Sequence, residues 1–366
     1  MAEQGQADER LARSSLLQRF STRPEFGAVW GALLVLVIFI IFAADNNMFG
    51  WRGVTNWMSV VAQLGIIAIA ACLLMLAGEF DLSIGSMIAF SGMTMALLIH
   101  NGELPAWGAV AVTFPLAMSI GWLIGWLVIK TRLPSFIVTL AFLFILRGVT
   151  LVSARLLNGT TLIGYLENHK HEDPLVWIFG IDVFQGLYAW FAEIGWMDTL
   201  PNGKRAVEGL PMVIVWWIGL TIIASYVLQR TRYGNWIWAS GGDPKAAMAV
   251  GVPVDRVKIS LFVFSAFCST LFAALQVFDF GSADAARGQL KELEAIAAAV
   301  IGGALLTGGY GTVLGSCLGA LILGIVSQGF FYTGVDGDWY RVFIGGVLLL
   351  SVAFNTWIRK KATGGI

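Results

Sequence analysis

Apolar residues in this chain fall in long, nearly unbroken runs, and the polar residues collect in the gaps between them. A helix crossing a bilayer needs about 17 to 25 predominantly apolar residues. Ten runs of uneven length approach or reach that: Ala28 to Ala44, Trp57 to Ala77, Ile84 to Ile99, Ala106 to Ile129, Phe136 to Leu157, Met212 to Leu228, Ile259 to Phe278, Ala295 to Leu306, Val313 to Tyr332 and Val342 to Trp357. The eighth has only 12 residues, about 18 Å of helix. It either begins earlier, at Leu290, or is a half-helix entering a cavity lined by protein, where broken backbone is tolerated. The pattern predicts an all-α polytopic membrane protein with about ten transmembrane helices.

Composition agrees. Hydrophobic residues make up 57% of the 366-residue chain and charged residues 13%, against roughly 25% charged in a soluble domain. The formal net charge is zero, so no global field recruits nucleic acid or acidic lipid, and no nucleic-acid partner is expected. Cys72, Cys268 and Cys317 sit within apolar runs far apart in sequence, which suits reduced, buried small hydrophobes rather than a disulfide framework or a metal site.

With ten crossings both termini lie on one side, and basic residues decide which. Placing the tails inside puts 14 of the 23 bases in the cytoplasm: Arg10, Arg13, Arg19 and Arg23, Lys130 and Arg132, five between Arg230 and Lys258, and Arg359, Lys360 and Lys361. Four of the eight outer bases fall in one long outer segment, where the positive-inside rule has less force. Residues 1–27 then form a cytoplasmic tail, 28–358 the transmembrane domain and 359–366 a second cytoplasmic tail. The first run reads as a retained helix, because its preceding tail is also acidic and Phe42 stands where a signal-peptide cleavage site needs a small residue.

The outer segment, 154–210, repeats aromatics (Trp177, Phe184, Tyr188, Trp190, Phe191, Trp196) among acids. That suits a segment lying on the outer leaflet, in contact with lipid. His169, His171, Glu172 and Asp173 within it have the look of metal ligands, but a solvated polar loop accounts for them, and no metal is expected. Small residues recur inside the runs (Gly121 and Gly125, Gly302 and Gly303, Gly315 and Gly319, Gly345 and Gly346), as close helix packing in lipid requires. There is also an internal echo: Gly78 and Gly308 each precede a Gly-Ser pair, Gly85-Ser86 and Gly315-Ser316, by seven residues, and transporters often contain repeats.

Between the second and third runs stands a polar break, Gly78-Glu79-Phe80-Asp81-Leu82-Ser83. Each acid would cost about 2.5 to 3.5 kcal/mol at the bilayer centre. Asp81 or Ser83 either caps the helix beginning near Ile84 or, with Gly78 and Glu79, lines or gates a pathway. Arg147 either snorkels to the outer interface or pairs with an inward-facing acid such as Glu294 or Asp284. A phosphate-binding loop, a histidine pair within a run and a nucleophile with a plausible base are all missing, so neither an enzyme nor a cofactor is expected.

The longest inner connection, 232–258, contains Gly241-Gly242-Asp243-Pro244. Asp243 is placed to cap a short helix with Pro244 in its first position, ended by Gly251. Ala246, Ala247 and Val250 then form an apolar side suited to a partner's groove.

This loop resembles the coupling segment of ABC importer permeases, whose paired alanines followed by glycine are met by Ala246, Ala247 and Gly251. More specifically, the chain resembles the ribose/xylose-type branch of sugar ABC transporter permeases over nearly everything from Trp57 to Trp357. Further points of likeness are Gly78 to Ser86, Phe136 to Leu140 followed by Leu146-Arg147-Gly148, Leu293 to Ala298 running into Ile301-Gly302-Gly303, and Thr307-Gly308-Gly309. Glu79 and Phe80 depart from the glycine and aliphatic usual in ribose permeases, Glu294 replaces a frequent aspartate, and the outer segment is longer. The resemblance implies an ABC importer permease fold in a bacterial cytoplasmic (inner) membrane. It also implies separate ATPase subunits, a second permease subunit (identical or a paralogue) and an extracytoplasmic sugar-binding protein. Gly242, Asp243, Pro244, Ala246, Ala247 and Gly251 would receive the ATPase stroke, while Gly78, Glu79, Asp81, Ser83, Arg147 and Glu294 would line or gate the pathway. The rival expectation is a carrier driven by an ion gradient, with Glu79, Asp81 or Glu294 as titrating or cation-binding groups.

Overall fold

A computed structural model describes residues 25–43, 45–166, 173, 177–200 and 203–362. Each apolar run falls on a helix. These are α1 (Glu25–Ala43), α2 (Trp51–Leu76), α3 (Ile84–His100), α4 (Ala106–Thr131), α5 (Ser135–Asn158), α8 (Met212–Arg230), α11 (Val254–Phe280), α12 (Lys291–Ile301), α13 (Val313–Thr333) and α14 (Asp338–Ala362). Four helices stand outside the runs: α6 (Trp177–Gly180), α7 (Gln185–Glu193), α9 (Arg232–Gly242) and α10 (Pro244–Ala249). Two-residue strands add small antiparallel pairs, β1 (Leu162–Ile163) with β4 (Ala283–Asp284) and β2 (Asp182–Val183) with β3 (Leu210–Pro211).

Among the described residues six helices, α2, α4, α5, α8, α11 and α13, are long and apolar enough to cross a membrane, while α1 and α3 are apolar but shorter. Burial sorts them. The spanning windows of α2 and α11 are 83% and 78% buried, those of α5 and α8 only 28%, so α2 and α11 form the centre. The outer helices turn apolar side chains outward, Phe144 and Leu156 on α5 and Ile222 and Ile223 on α8 among them. Lipid is the medium in which such a surface carries no penalty.

Small residues set the central packing, as the sequence predicts for most of the glycines it singles out. A Cβ on Gly121 or Gly125 would meet the α11 backbone at Phe262 O or Ile259 Cα, and one on Gly319 would collide with Ala298 O of α12. Gly345 and Gly346 differ, because nothing lies within 4 Å of a Cβ built there. Their face of α14 is open, so they do not mediate packing within the chain.

The loops gather at two opposite ends. At one, Asn101 Nδ2 donates to Leu157 O at 2.7 Å, Trp107 N to Asp173 Oδ2 at 2.9 Å, and Trp51 Nε1 to Trp196 O at 2.8 Å. At the other lie the end of α2, the start of α5, and α9 with α10. Asp173 thus serves as a backbone acceptor, while His169, His171 and Glu172 lie outside the described residues. So do the N-terminal arginines and the side chains of Arg359, Lys360 and Lys361. The three cysteines are buried and free.

Candidate coupling and gating site

The α9–α10 corner forms as the sequence predicts. Thr231 Oγ1 accepts from Gly234 N and starts α9. Asp243 Oδ1 accepts from Lys245 N and Ala246 N, both at 3.0 Å, with Pro244 in the first turn of α10. This is the arrangement that satisfies a helix's first free N–H groups. Gly251 closes the corner with φ +87°, a left-handed backbone that glycine adopts without strain. The expected outward face needs one correction. Ala247 is buried, and the exposed apolar residues are Ala246, Met248 (50%), Ala249 and Val250 (82%). In a helix of six residues wedged between α9 and α11, one position has to face the bundle.

Beneath the corner, backbone meets backbone. A Cβ on Gly241 would collide with Leu76 O at the end of α2 and come within 2.9 Å of Gly309 N. Gly309 N already donates to Leu76 O at 2.9 Å. Gly78 and Gly308, both with positive φ, approach the same Gly241. The corner, the break after α2 and the loop after α12 therefore meet at one joint, where neither Gly241 nor Gly308 has room for a side chain. Neither the pairing of Gly78 with Gly308 nor the part played by Gly241 shows in chain order, although the internal echo names two of the four glycines.

From that joint the 77–83 segment runs inward. Glu79 pairs with Lys258 Nζ at 2.5 Å, each side chain 12% exposed, and Phe80 N donates to Ser135 Oγ at 3.0 Å. Asp81 Oδ1 accepts from Ser83 N at 2.8 Å and Ser83 Oγ at 2.5 Å, and its Oδ2 accepts from Ser265 Oγ of α11 at 2.7 Å. The capping expectation therefore fails in detail. Ser83 occupies the position before α3, but its hydroxyl goes to Asp81 and neither side chain takes a free N–H of the helix. Asp81 is consumed by cross-linking α3's approach to α11.

A second broken segment enters from the opposite end. After α11, residues 281–290 fold back until Gly288 and Glu292 touch α3, where a Cβ on Gly85 would strike Glu292 Oε2 and Gly288 O. Arg147, at the middle of α5, holds this loop by donating from Nη1 to Ala285 O at 2.7 Å. It neither snorkels nor pairs with Glu294 or Asp284. Glu294 is paired with Lys291 at 2.6 Å, and Asp284 Oδ1 accepts from Ala286 N. The acid near Arg147 is Glu292, which is buried and also feels Asp81. Arg287 donates to Ser282 O and, at 2.7 Å, to Ser282 Oγ. Short α12, 11 residues and about 16 Å long, then runs back to the glycine joint. The half-helix reading of the sequence thus describes α12, and its start moves to Lys291.

The α2–α3 and α12–α13 pairs are alike in one further detail. Ser86 Oγ donates to Ser83 O and Ser316 Oγ to Val313 O, at 2.9 and 2.8 Å, each three residues back. The echo in sequence is matched by the same local bond at the start of each second helix. Much of the irregular chain in both breaks is buried, Glu79, Asp81 and Ser83 in the first and Gly281, Ala283, Ala285 and Gly288 in the second, the condition under which it persists at membrane depth.

Residues 53–352 match the family model described as branched-chain amino acid transport system / permease component. The chain belongs to this family. It resembles the ribose import permease protein RbsC of Escherichia coli (strain K12), 32% identical over 323 residues that cover 88% of this chain and 90% of the relative. The inner membrane ABC transporter permease protein YjfF of the same strain is 31% identical, covering 89% and 88%. The xylose transport system permease protein XylH of Haemophilus influenzae is 27% identical, covering 90% and 96%. No solved structure matches the chain. As a member of the permease family the protein is a multi-pass subunit of an ABC importer in the cytoplasmic membrane. The joint, the ion pair and the two broken segments all lie within the matched residues.

Proposed function

We propose that this permease carries a monosaccharide or related polyol inward, driven by ATP hydrolysed on separate ATPase subunits. The observation that carries the reading is the 32% identity to a ribose import permease over 88% of the chain. The xylose relatives support the same cargo class, and the branched-chain amino acid wording belongs to the wider family. About ten helices cross the membrane with both tails cytoplasmic, so the α9–α10 end faces the ATPases and the α6–α7 end faces the sugar-binding protein. A second permease subunit, identical or a paralogue, completes the pathway.

In this reading α10 is the surface the ATPase pushes, with Ala246, Met248 and Val250 in its groove. Asp243 and Pro244 keep the helix formed, Ala247 seats it, Gly242 ends α9 just ahead of it, and Gly251 lets the chain turn at its far end. The stroke passes to the two broken segments, where Gly78, Glu79, Asp81, Ser83 and Arg147 control the opening and Glu294 steadies α12. Such rigid-body gating needs no catalytic group in this chain. Outside, α7 packs Tyr188 and Phe191 against Trp51. Its other face, Phe184, Leu187, Trp190 and Ile194, stays exposed, which supports its lying in the outer lipid interface. The engagement of Glu79, Asp81 and Glu294 with protein partners supports ATP drive over an ion-gradient carrier, which needs acids free to exchange their ions.

The test is uptake of labelled pentoses and hexoses by cells carrying the permease with its neighbouring transport genes. Uptake of one sugar that stops on ATP depletion and survives ionophores supports the proposal. Uptake abolished by ionophores at normal ATP overturns it.

A further inference from the structure

We infer that the Glu79–Lys258 pair is a transmission strut, a positioning contact that carries movement of α10 into the gate segment 77–83. The inference rests on the proposed ATP-driven reading and adds a residue, Lys258, that no motif points to. Lys258 stands in the second turn of α11, on the helix that leaves α10 directly through Gly251, Val252 and Pro253. Any tilt of α10 therefore reaches it with little slack. Its ammonium meets Glu79 at 2.5 Å where both side chains are 12% exposed. Solvent screens the pair far less there than at a surface. One residue earlier in the chain, Gly78 faces Gly241, whose own Cβ would strike Leu76 O, at the base of the corner on its α9 side. Two residues later, Asp81 is bound to Ser265 further up α11.

The gate segment is thus gripped on both flanks of α10: by backbone contact from α9 and by charge from α11. The backbone contact resists only approach. The ion pair resists separation as well, and so supplies the pull that a two-way stroke needs. Three attachments along one short segment make a rigid link, so the pair stays closed through the cycle.

The experiment uses the permease reconstituted with its ATPase and binding protein in proteoliposomes, measuring sugar taken up and ATP hydrolysed together. Glu79→Gln and Lys258→Gln are each expected to lower sugar moved per ATP at least tenfold while ATP hydrolysis stays within about threefold of wild type. The exchanged pair Glu79→Lys with Lys258→Glu is expected to recover most of the ratio, which a residue needed only for folding would not predict. Should the single variants fail to fold, cysteines at both positions joined by a short bis-maleimide provide the second measurement. The covalently joined protein is expected to transport, and the same double-cysteine protein before joining to be uncoupled. Single variants with an unchanged ratio, a charge exchange with no recovery, or a cross-link that blocks transport would overturn the strut. Wild-type uptake that ignores ATP would instead overturn the reading on which it rests.

Discussion

Gly241 offers the sharpest test of the joint, because its neighbour Gly242 is a control one residue away. Replacing Gly241 with alanine places a methyl against Leu76 O and 2.9 Å from Gly309 N. Both are main-chain atoms of other segments, so neither can rotate aside. Overpacking of this kind costs about 1 to 3 kcal/mol. If Leu76 O is pushed off Gly309 N, an orphaned buried carbonyl adds about 1 to 3 kcal/mol. Alanine's helix preference over glycine returns at most about 1 kcal/mol. The net expectation for Gly241→Ala is about 1 to 5 kcal/mol of lost stability. At Gly242 nothing lies within 4 Å of the added carbon, so Gly242→Ala is expected to be neutral or to stabilise by up to about 1 kcal/mol. Reversible unfolding of the purified permease in mixed micelles, titrated with SDS, measures both. Equal midpoints and slopes for the two variants would refute the close-packed joint.

Three other substitutions probe separate parts of the account. Asp243→Ala removes the acceptor for Lys245 N and Ala246 N and is expected to cost about 1 kcal/mol, seen as faster amide exchange at those two positions, with Asp243→Asn close to wild type. Arg147→Met frees Ala285 O, so a cysteine placed at buried Ala285 is expected to react with a maleimide at least several-fold faster than in the Arg147 background, and an unchanged rate would remove Arg147 from the loop. Trp51→Phe keeps the ring against Tyr188 and Phe191 but loses the 2.8 Å bond to Trp196 O, for an expected cost of about 0.5 to 1.5 kcal/mol in the same unfolding assay. Trp51→Ala is expected to lose about 1 to 3 kcal/mol, because the packing of this half-buried ring against Tyr188 and Phe191 goes too.

What the sequence showed and what it hid divide along physical lines. Helices were legible because lipid imposes a length and a composition on each. The α10 corner was legible because Asp243, Pro244 and Gly251 act on their own near neighbours, and local chemistry leaves a local pattern. Long-range partners left none. Glu79 finds Lys258 across 179 residues, and Arg147 finds a carbonyl, which has no residue-type signature. Reading Arg147 as the partner of an acid assumed that charge seeks charge, while in the fold a backbone oxygen of the inserted loop is nearer. Ser83 was a good cap by type, yet its hydroxyl found a stronger acceptor in Asp81. Ala247 was misplaced because a six-residue helix is too short for periodicity to show which side faces the bundle. Glu292, buried beside Gly85, belongs to no motif and stands in the sequence simply as an acid two residues before Glu294.

The central claim is that force enters through the exposed side of α10. Its most direct test is ATP-driven sugar uptake by the reconstituted importer carrying Ala246→Asp and Val250→Asp. Both positions are exposed, so the permease is expected to fold normally. An unpaired carboxylate forced into an apolar groove costs several kcal/mol, and each 1.4 kcal/mol is about tenfold in affinity. The account predicts that the variant loses its ATPase subunits on purification and that uptake falls at least tenfold. Normal uptake with the ATPase still bound would contradict it.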